Sequence, residues 1–84
     1  MTPEEVAEYN EEALICDGFD EAIIGVAQRI NLGPVAAYSV EKILNILVER
    51  DGMTYEEAVE YFDFNIIGAG MGEFTPVFIY TNEE

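Results

Sequence analysis

Charge is laid down in blocks along this chain, and the blocks decide where a core can form. Residues 1 to 21 carry eight acids and no base, residues 51 to 84 carry eight more and no base, and residues 22 to 50 sum to plus one. A packed interior must be drawn from the near-neutral middle and from single apolar stripes on the acidic flanks. The material for one is present, because half of the residues are apolar and ten are aromatic, far above the content of a disordered acidic tail. At this length the chain makes one domain, residues 1–84, which buries roughly 60 to 65% of the surface its unfolded form exposes.

The net charge of −15 narrows function as well. Such a molecule is repelled by free nucleic acid and by anionic membrane, and associates quickly with basic protein surfaces. Direct nucleic-acid binding is therefore disfavoured. The uncharged stretches Ala22 to Gln28 and Asn31 to Val40 are too short to span a bilayer, and the N-terminus lacks the basic start and apolar run of a signal peptide. One cysteine, Cys16, allows no internal disulfide, so a reducing cytoplasm is the expected setting. With no histidine in the chain, Cys16 has no base to activate it and is expected to pack in the core. The same absence removes the usual zinc sites and histidine-based triads. A chain this small also shapes no deep cleft, so neither catalysis nor a cofactor is expected.

Local signals divide the chain into six elements. Thr2 can cap a helix in which Pro3 takes the first position and Glu5 completes a capping box. On that helix Val6, Tyr9 and Ala13 share one face, and Glu4, Glu5, Glu8, Glu11 and Glu12 fill the opposite one. After the turn at Asp17-Gly18, Ala22 to Ala27 reads as a strand, Asn31-Leu32-Gly33-Pro34 as a loop, and Val35 to Tyr38 as the antiparallel return strand. Ser39 caps a helix built on Val40, Ile43, Leu44 and Leu47, widened by Ile46 and Val48 and ended by Asp51-Gly52. Thr54 and Glu57 form a second capping box, ahead of a stripe of Tyr55, Ala58, Val59, Phe62 and Ile66. The glycines between Gly68 and Gly72 break that helix, and Pro76 opens a strand from Val77 to Tyr80. Both faces of that strand are apolar, so it is either central or covered by a partner. The expected fold is α+β: a small antiparallel sheet of about three strands packed against an αα-hairpin, with the N-terminal amphipathic helix alongside.

Three groups of residues merit a functional reading. The glycine cluster follows a helix and precedes a strand, the reverse of a phosphate-binding loop, so it reads as a helix stop. Asp17, Asp20 and Glu21 place three carboxylates close enough in sequence for a hard cation, although their spacing is not that of an EF-hand. Third, Glu56, Glu57, Glu60 and Asp63 face away from the core stripe, with Phe64 among them and Tyr61 at their edge. That pattern is either a solvated face with aromatics caught under a neighbouring element or a binding epitope, an aromatic anchor surrounded by steering acids. Spaced carboxylates on helices also imitate phosphates, so the Glu4, Glu8, Glu11 and Glu12 face and the Glu56 to Asp63 face together could pass for a DNA strand.

The segments Asp17-Gly18-Phe19-Asp20-Glu21-Ala22-Ile23-Ile24-Gly25-Val26 and Glu49-Arg50-Asp51-Gly52-Met53-Thr54-Tyr55-Glu56-Glu57-Ala58 resemble a group of small proteins of unknown function encoded by tailed bacteriophages. Phe64-Asn65-Ile66-Ile67-Gly68-Ala69 and Thr75-Pro76 are similar as well. The resemblance implies a viral protein acting in bacterial cytoplasm and carries over no functional residues. Two functions follow as expectations. One is a non-catalytic inhibitor that occupies the basic surface of a host nucleic-acid-binding or defence protein, in the manner of a DNA mimic. The other is a small homo-oligomeric accessory protein, such as a homodimer, that buries the surplus apolar surface around Val77 to Tyr80 against an identical copy.

Overall fold

The computed structural model describes residues 1–70 and 72–81. Its first helix, α1 (Pro3–Tyr9), opens on the expected capping box: the Glu5 amide donates to Thr2 Oγ1 at 3.2 Å, and the Thr2 amide donates to Glu5 Oε1 at 2.8 Å. It ends earlier than its charge pattern suggests. Asn10 is extended, its side-chain nitrogen donates to the Pro34 carbonyl at 2.8 Å, and its side-chain oxygen accepts from the Glu12 amide at 3.0 Å. A side chain that bonds the backbone outside the helix competes with helix continuation. Glu11 and Glu12 consequently stand in a turn, and Tyr9, expected on the buried face, is exposed.

A short 3₁₀ turn (Asp20–Ala22) leads into β1 (Ile23–Arg29), which pairs antiparallel with β2 (Leu32–Ser39). The hairpin turn is Ile30-Asn31 and not the Asn31 to Pro34 loop. Asn31 adopts φ 62°, a left-handed conformation that asparagine tolerates better than most residues. Pro34 is thus inside a strand. It is accommodated because β2 carries one more residue than β1 between the pairs Arg29–Leu32 and Ala27–Val35, a bulge that relieves the missing donor.

Two helices follow, joined as an αα-hairpin. Ser39 caps α2 (Val40–Asp51) by accepting the Lys42 amide at 3.2 Å. Gly52, at φ 73°, closes the helix with its amide on the Val48 carbonyl, while the Met53 amide reaches Leu47. Helix α3 (Tyr55–Tyr61) carries the second capping box. Ala58 and Phe62 are buried and Val59 and Ile66 are half-buried, but Tyr55, at the first helical position, lies ahead of the buried turn and is exposed. Beyond α3 the chain widens into a π turn (Phe62–Ile66) and tightens into a 3₁₀ turn (Ile67–Ala69).

The last strand, β3 (Val77–Ile79), corrects the expected sheet. It runs parallel to β2, with Ala37, Tyr38 and Ser39 opposite Val77, Phe78 and Ile79. A strand, a helical hairpin and a returning strand make a crossover, which delivers the chain to the end of the sheet where it started and so pairs it parallel. The fold of the described residues is α+β, with a three-stranded mixed sheet in the order β1-β2-β3 and three helices including the N-terminal one. The central strand is β2, buried from Val35 to Ser39, whereas β3 is an edge. Of the four residues expected to be covered on both faces, Phe78 stacks on Tyr38 with ring centroids 5.7 Å apart and meets Phe62 edge-on at 5.6 Å. Tyr80, just beyond the strand, is 77% exposed. One buried cluster gathers Val6, Phe19, Ala22, Ile23, Ala36, Tyr38, the apolar face of α2, Ala58 and Phe62.

Candidate functional site

The three bases decide how much of the acidic charge is neutralised internally. Arg29 donates from Nε and Nη2 to the Gly33 carbonyl at 2.9 and 2.7 Å and from Nη1 to the Glu73 carbonyl at 2.7 Å. Arg50 donates from Nη1 to the Gly18 carbonyl at 2.7 Å, lies 5.1 Å from the centre of the Phe19 ring, and grips Asp51 through Nε at 2.9 Å and Nη2 at 3.1 Å. The hydrogen bond from Arg50 holds the Asp51 carboxyl below its ordinary pKa. Among the described residues Arg50 and Asp51 form the one ion pair. Two arginines thus tie loops to backbone carbonyls, Lys42 lines a concavity with Glu21 and Glu49, and among the described residues no base forms an ion pair with a carboxylate of α1 or α3.

Those carboxylates are distributed unequally over α3 and α1. On α3, Glu57 is committed to the cap, where its Oε1 accepts the Thr54 amide at 2.9 Å and its own amide donates to Thr54 Oγ1 at 3.1 Å. Glu56, Glu60 and Asp63 stand exposed. Phe64 follows Glu60 by four residues and shares its face. In the wide π turn, residues four apart point the same way and the one midway between them points opposite. With Phe62 buried and Ile66 half-buried, Phe64 is turned outward and is 80% exposed. Ile67, three residues further on, is 47% exposed as well. Sequence reading missed it, and its only signal was the spacing from Phe64. Tyr61, partly exposed, lines a concavity of about 320 Å³ with Ile15, Cys16, Asp17, Phe19 and Ile66.

Helix α1 packs on the hairpin and α3 packs on α2, so the two acidic sets are anchored to different parts of the fold. Glu4 and Glu8 are exposed on α1, while Glu5 is held in its capping box. Because the helix stops at Tyr9, the Glu4 to Glu12 row is not one helical face. Glu4 shares a shallow concavity of about 310 Å³ with Asp20 and Glu21, and these two also line a neighbouring one of about 410 Å³ with Glu49 and Arg50.

The three carboxylates considered for a cation are separated by the turn that carries them. Gly18 adopts φ 89° and Phe19 drives into the core, so Asp17 faces the Cys16 concavity while Asp20 and Glu21 face α1 and α2. Among the described residues no three His, Cys, Asp or Glu side chains gather closely enough to hold a metal ion. Cys16 is half-buried, and its amide donates to the Tyr38 hydroxyl at 2.8 Å. Burial pushes the thiol pKa up, as does nearby Asp17, and the hydrogen bond with Tyr38 only partly opposes them. A thiol in that environment is protonated at neutral pH and is a poor nucleophile. Burial likewise raises Tyr38 to about 12.

No family model, curated protein or solved structure matches the chain. Its surface is therefore read from its own geometry. No helix among the described residues is long and apolar enough to cross a membrane. What the surface offers is an exposed aromatic ring near Glu60 and Asp63 in sequence, just beyond a capped helical hairpin.

Proposed function

We propose that this chain is a non-catalytic protein-binding module that lays the α3 ridge on a basic partner surface, with Phe64 as the anchor. The exposure of Phe64 among unopposed acids carries this reading, since a core-forming chain of this size gains nothing in stability from a phenylalanine held in water. Carboxylates around the ring steer a basic partner and speed its approach, and the ring supplies the desolvated contact that slows its departure. In the setting that the phage resemblance implies, the partner is a host nucleic-acid-binding or defence protein whose basic surface otherwise takes phosphates. Occupying that surface makes the chain an inhibitor by mimicry of DNA charge.

The experiment is capture from a bacterial lysate at low and high salt, followed by DNA competition with each captured protein in purified form. The expected result is salt-sensitive capture of a basic protein that releases its DNA when the chain is added. Phe64→Ala should weaken that complex by about 2 kcal/mol, roughly 30-fold in Kd, and should leave the fold intact. A captured protein that keeps its DNA, or that binds the Phe64→Ala variant equally well, would overturn the proposal.

A further inference from the structure

The hairpin presents the opposite kind of surface. Strand β1 pairs with β2 along one edge, and on the other the Met1 amino group donates to the Ile23 carbonyl at 3.3 Å, at the very start of the strand. An edge strand offers a row of unpaired amides and carbonyls to any chain that can approach, and proteins guard such edges with charge, proline or bulges. In β1, Ile24 is the extra residue of a bulge, which protects only the beginning. Gly25 to Gln28 carry neither charge nor proline. Arg29, the only charged residue between Ala22 and Val40, is folded back onto Gly33 and Glu73 and does not guard the edge. Ile24, Ile30 and Leu32 extend this surface to the hairpin tip, at 40%, 89% and 43% exposure.

We infer that this edge is a self-association surface, on which β1 of one copy pairs antiparallel with β1 of a second around the Gly25 to Gln28 stretch. The result is an isologous dimer with a continuous six-stranded sheet. Charge selects a second copy as the occupant. Glu4, Asp20 and Glu21 gather beside Met1 at the start of the strand, but between Gly25 and Gln28 a basic partner finds no carboxylate to recognise, whereas two copies at −15 each can come together only where neither presents an acid. The other edge, β3, suits them less: it is three residues long, preceded by Glu73 and followed in sequence by Glu83 and Glu84. Like-charged copies still repel at a distance, so added salt strengthens this association.

Sedimentation of the full chain over a range of concentrations, at roughly 20 mM and 500 mM salt, tests the inference. The expected result is a monomer–dimer equilibrium that shifts toward dimer with both concentration and salt. Gly25 has open space where a Cβ would stand and no left-handed backbone, so Gly25→Asp and Gly25→Lys should both fold with an unchanged circular dichroism spectrum. Each should weaken the dimer by about 100-fold or more, because each copy then brings a charge of the same sign into the paired stretch. An equimolar mixture of the two, with charges of opposite sign, should recover part of it, a result that a folding defect does not produce. A wild-type chain that stays monomeric throughout, a dimer indifferent to Gly25→Asp, or a dimer abolished by Phe64→Ala would each overturn the inference.

Discussion

The α3 ridge and the β1–β2 hairpin differ in charge because a helix and a sheet divide their faces differently. A helix turns one stripe inward and leaves the rest in water, so α3 buries Ala58, continues its stripe into Phe62 of the π turn, and still carries Glu56, Glu57 and Glu60. The central strand β2 is buried on both faces from Val35 to Ser39 and has no place for a carboxylate. Its lack of acids therefore follows from topology alone. Strand β1 is different. It is half open to solvent and could carry acids as freely as α3 does, yet it carries none. Burial does not explain its lack of acids, and the self-association proposed for this edge would.

Placing the same charge on the two strands should have the most unequal effects. Ala36 is fully buried in β2, and Ala36→Asp should cost on the order of 4 kcal/mol or more, comparable to the whole stability of a domain this small. Loss of the folded circular dichroism spectrum at 25 °C is the expected outcome, against full retention for Gly25→Asp. Next in size is the contrast within the π turn. Phe62→Ala opens a cavity beneath Phe78 and should lose about 3 to 5 kcal/mol in urea unfolding, while Phe64→Ala should change stability by no more than about 0.5 kcal/mol. Equal losses at the two positions would mean that Phe64 is a packing residue and not an anchor.

Removing a cap tests the rigidity that holds the ridge in place. Thr54→Ala deletes the acceptor of the Glu57 amide and frees the Glu57 carboxylate from its task, so it should cost about 1 kcal/mol in urea unfolding. The caps at Thr2, Ser39, Thr54 and Gly52 were all legible in the sequence, because a cap is decided within about four residues. What remained hidden was decided over distance. The end of α1 depends on a bond from Asn10 to Pro34, twenty-four residues away. The direction of β3 depends on where two helices deliver the chain, and periodicity within Val77 to Tyr80 does not contain that information. At the site, the outward position of Phe64 was readable from spacing, because a residue two beyond Phe62 points away from the buried stripe in an α-helix as well, while the widening of the helix into a π turn was not. Ile67 escaped notice because it directly follows Ile66, the last residue of the buried stripe.

The smallest effect lies in the one pair where an acid is matched. Asp51 titrates below its ordinary value of 3.8 in the folded state because Arg50 hydrogen-bonds its carboxylate. A group with a depressed folded pKa binds protons more readily when unfolded, so its contribution to stability is present above about 3.8 and is lost as pH falls through the folded value. Asp51→Asn should accordingly lower the Tm slightly at pH 7, and the difference from wild type should close on acidification below that window. Both side chains are exposed, so added salt should shrink the difference as well. The ridge behaves otherwise, since its carboxylates have no base to lose: salt relieves their mutual repulsion and should raise the Tm of wild type and variant alike. If salt instead lowers the wild-type Tm, internal ion pairing outweighs repulsion in this chain, and the field attributed to the α3 ridge is weaker than its unopposed acids imply.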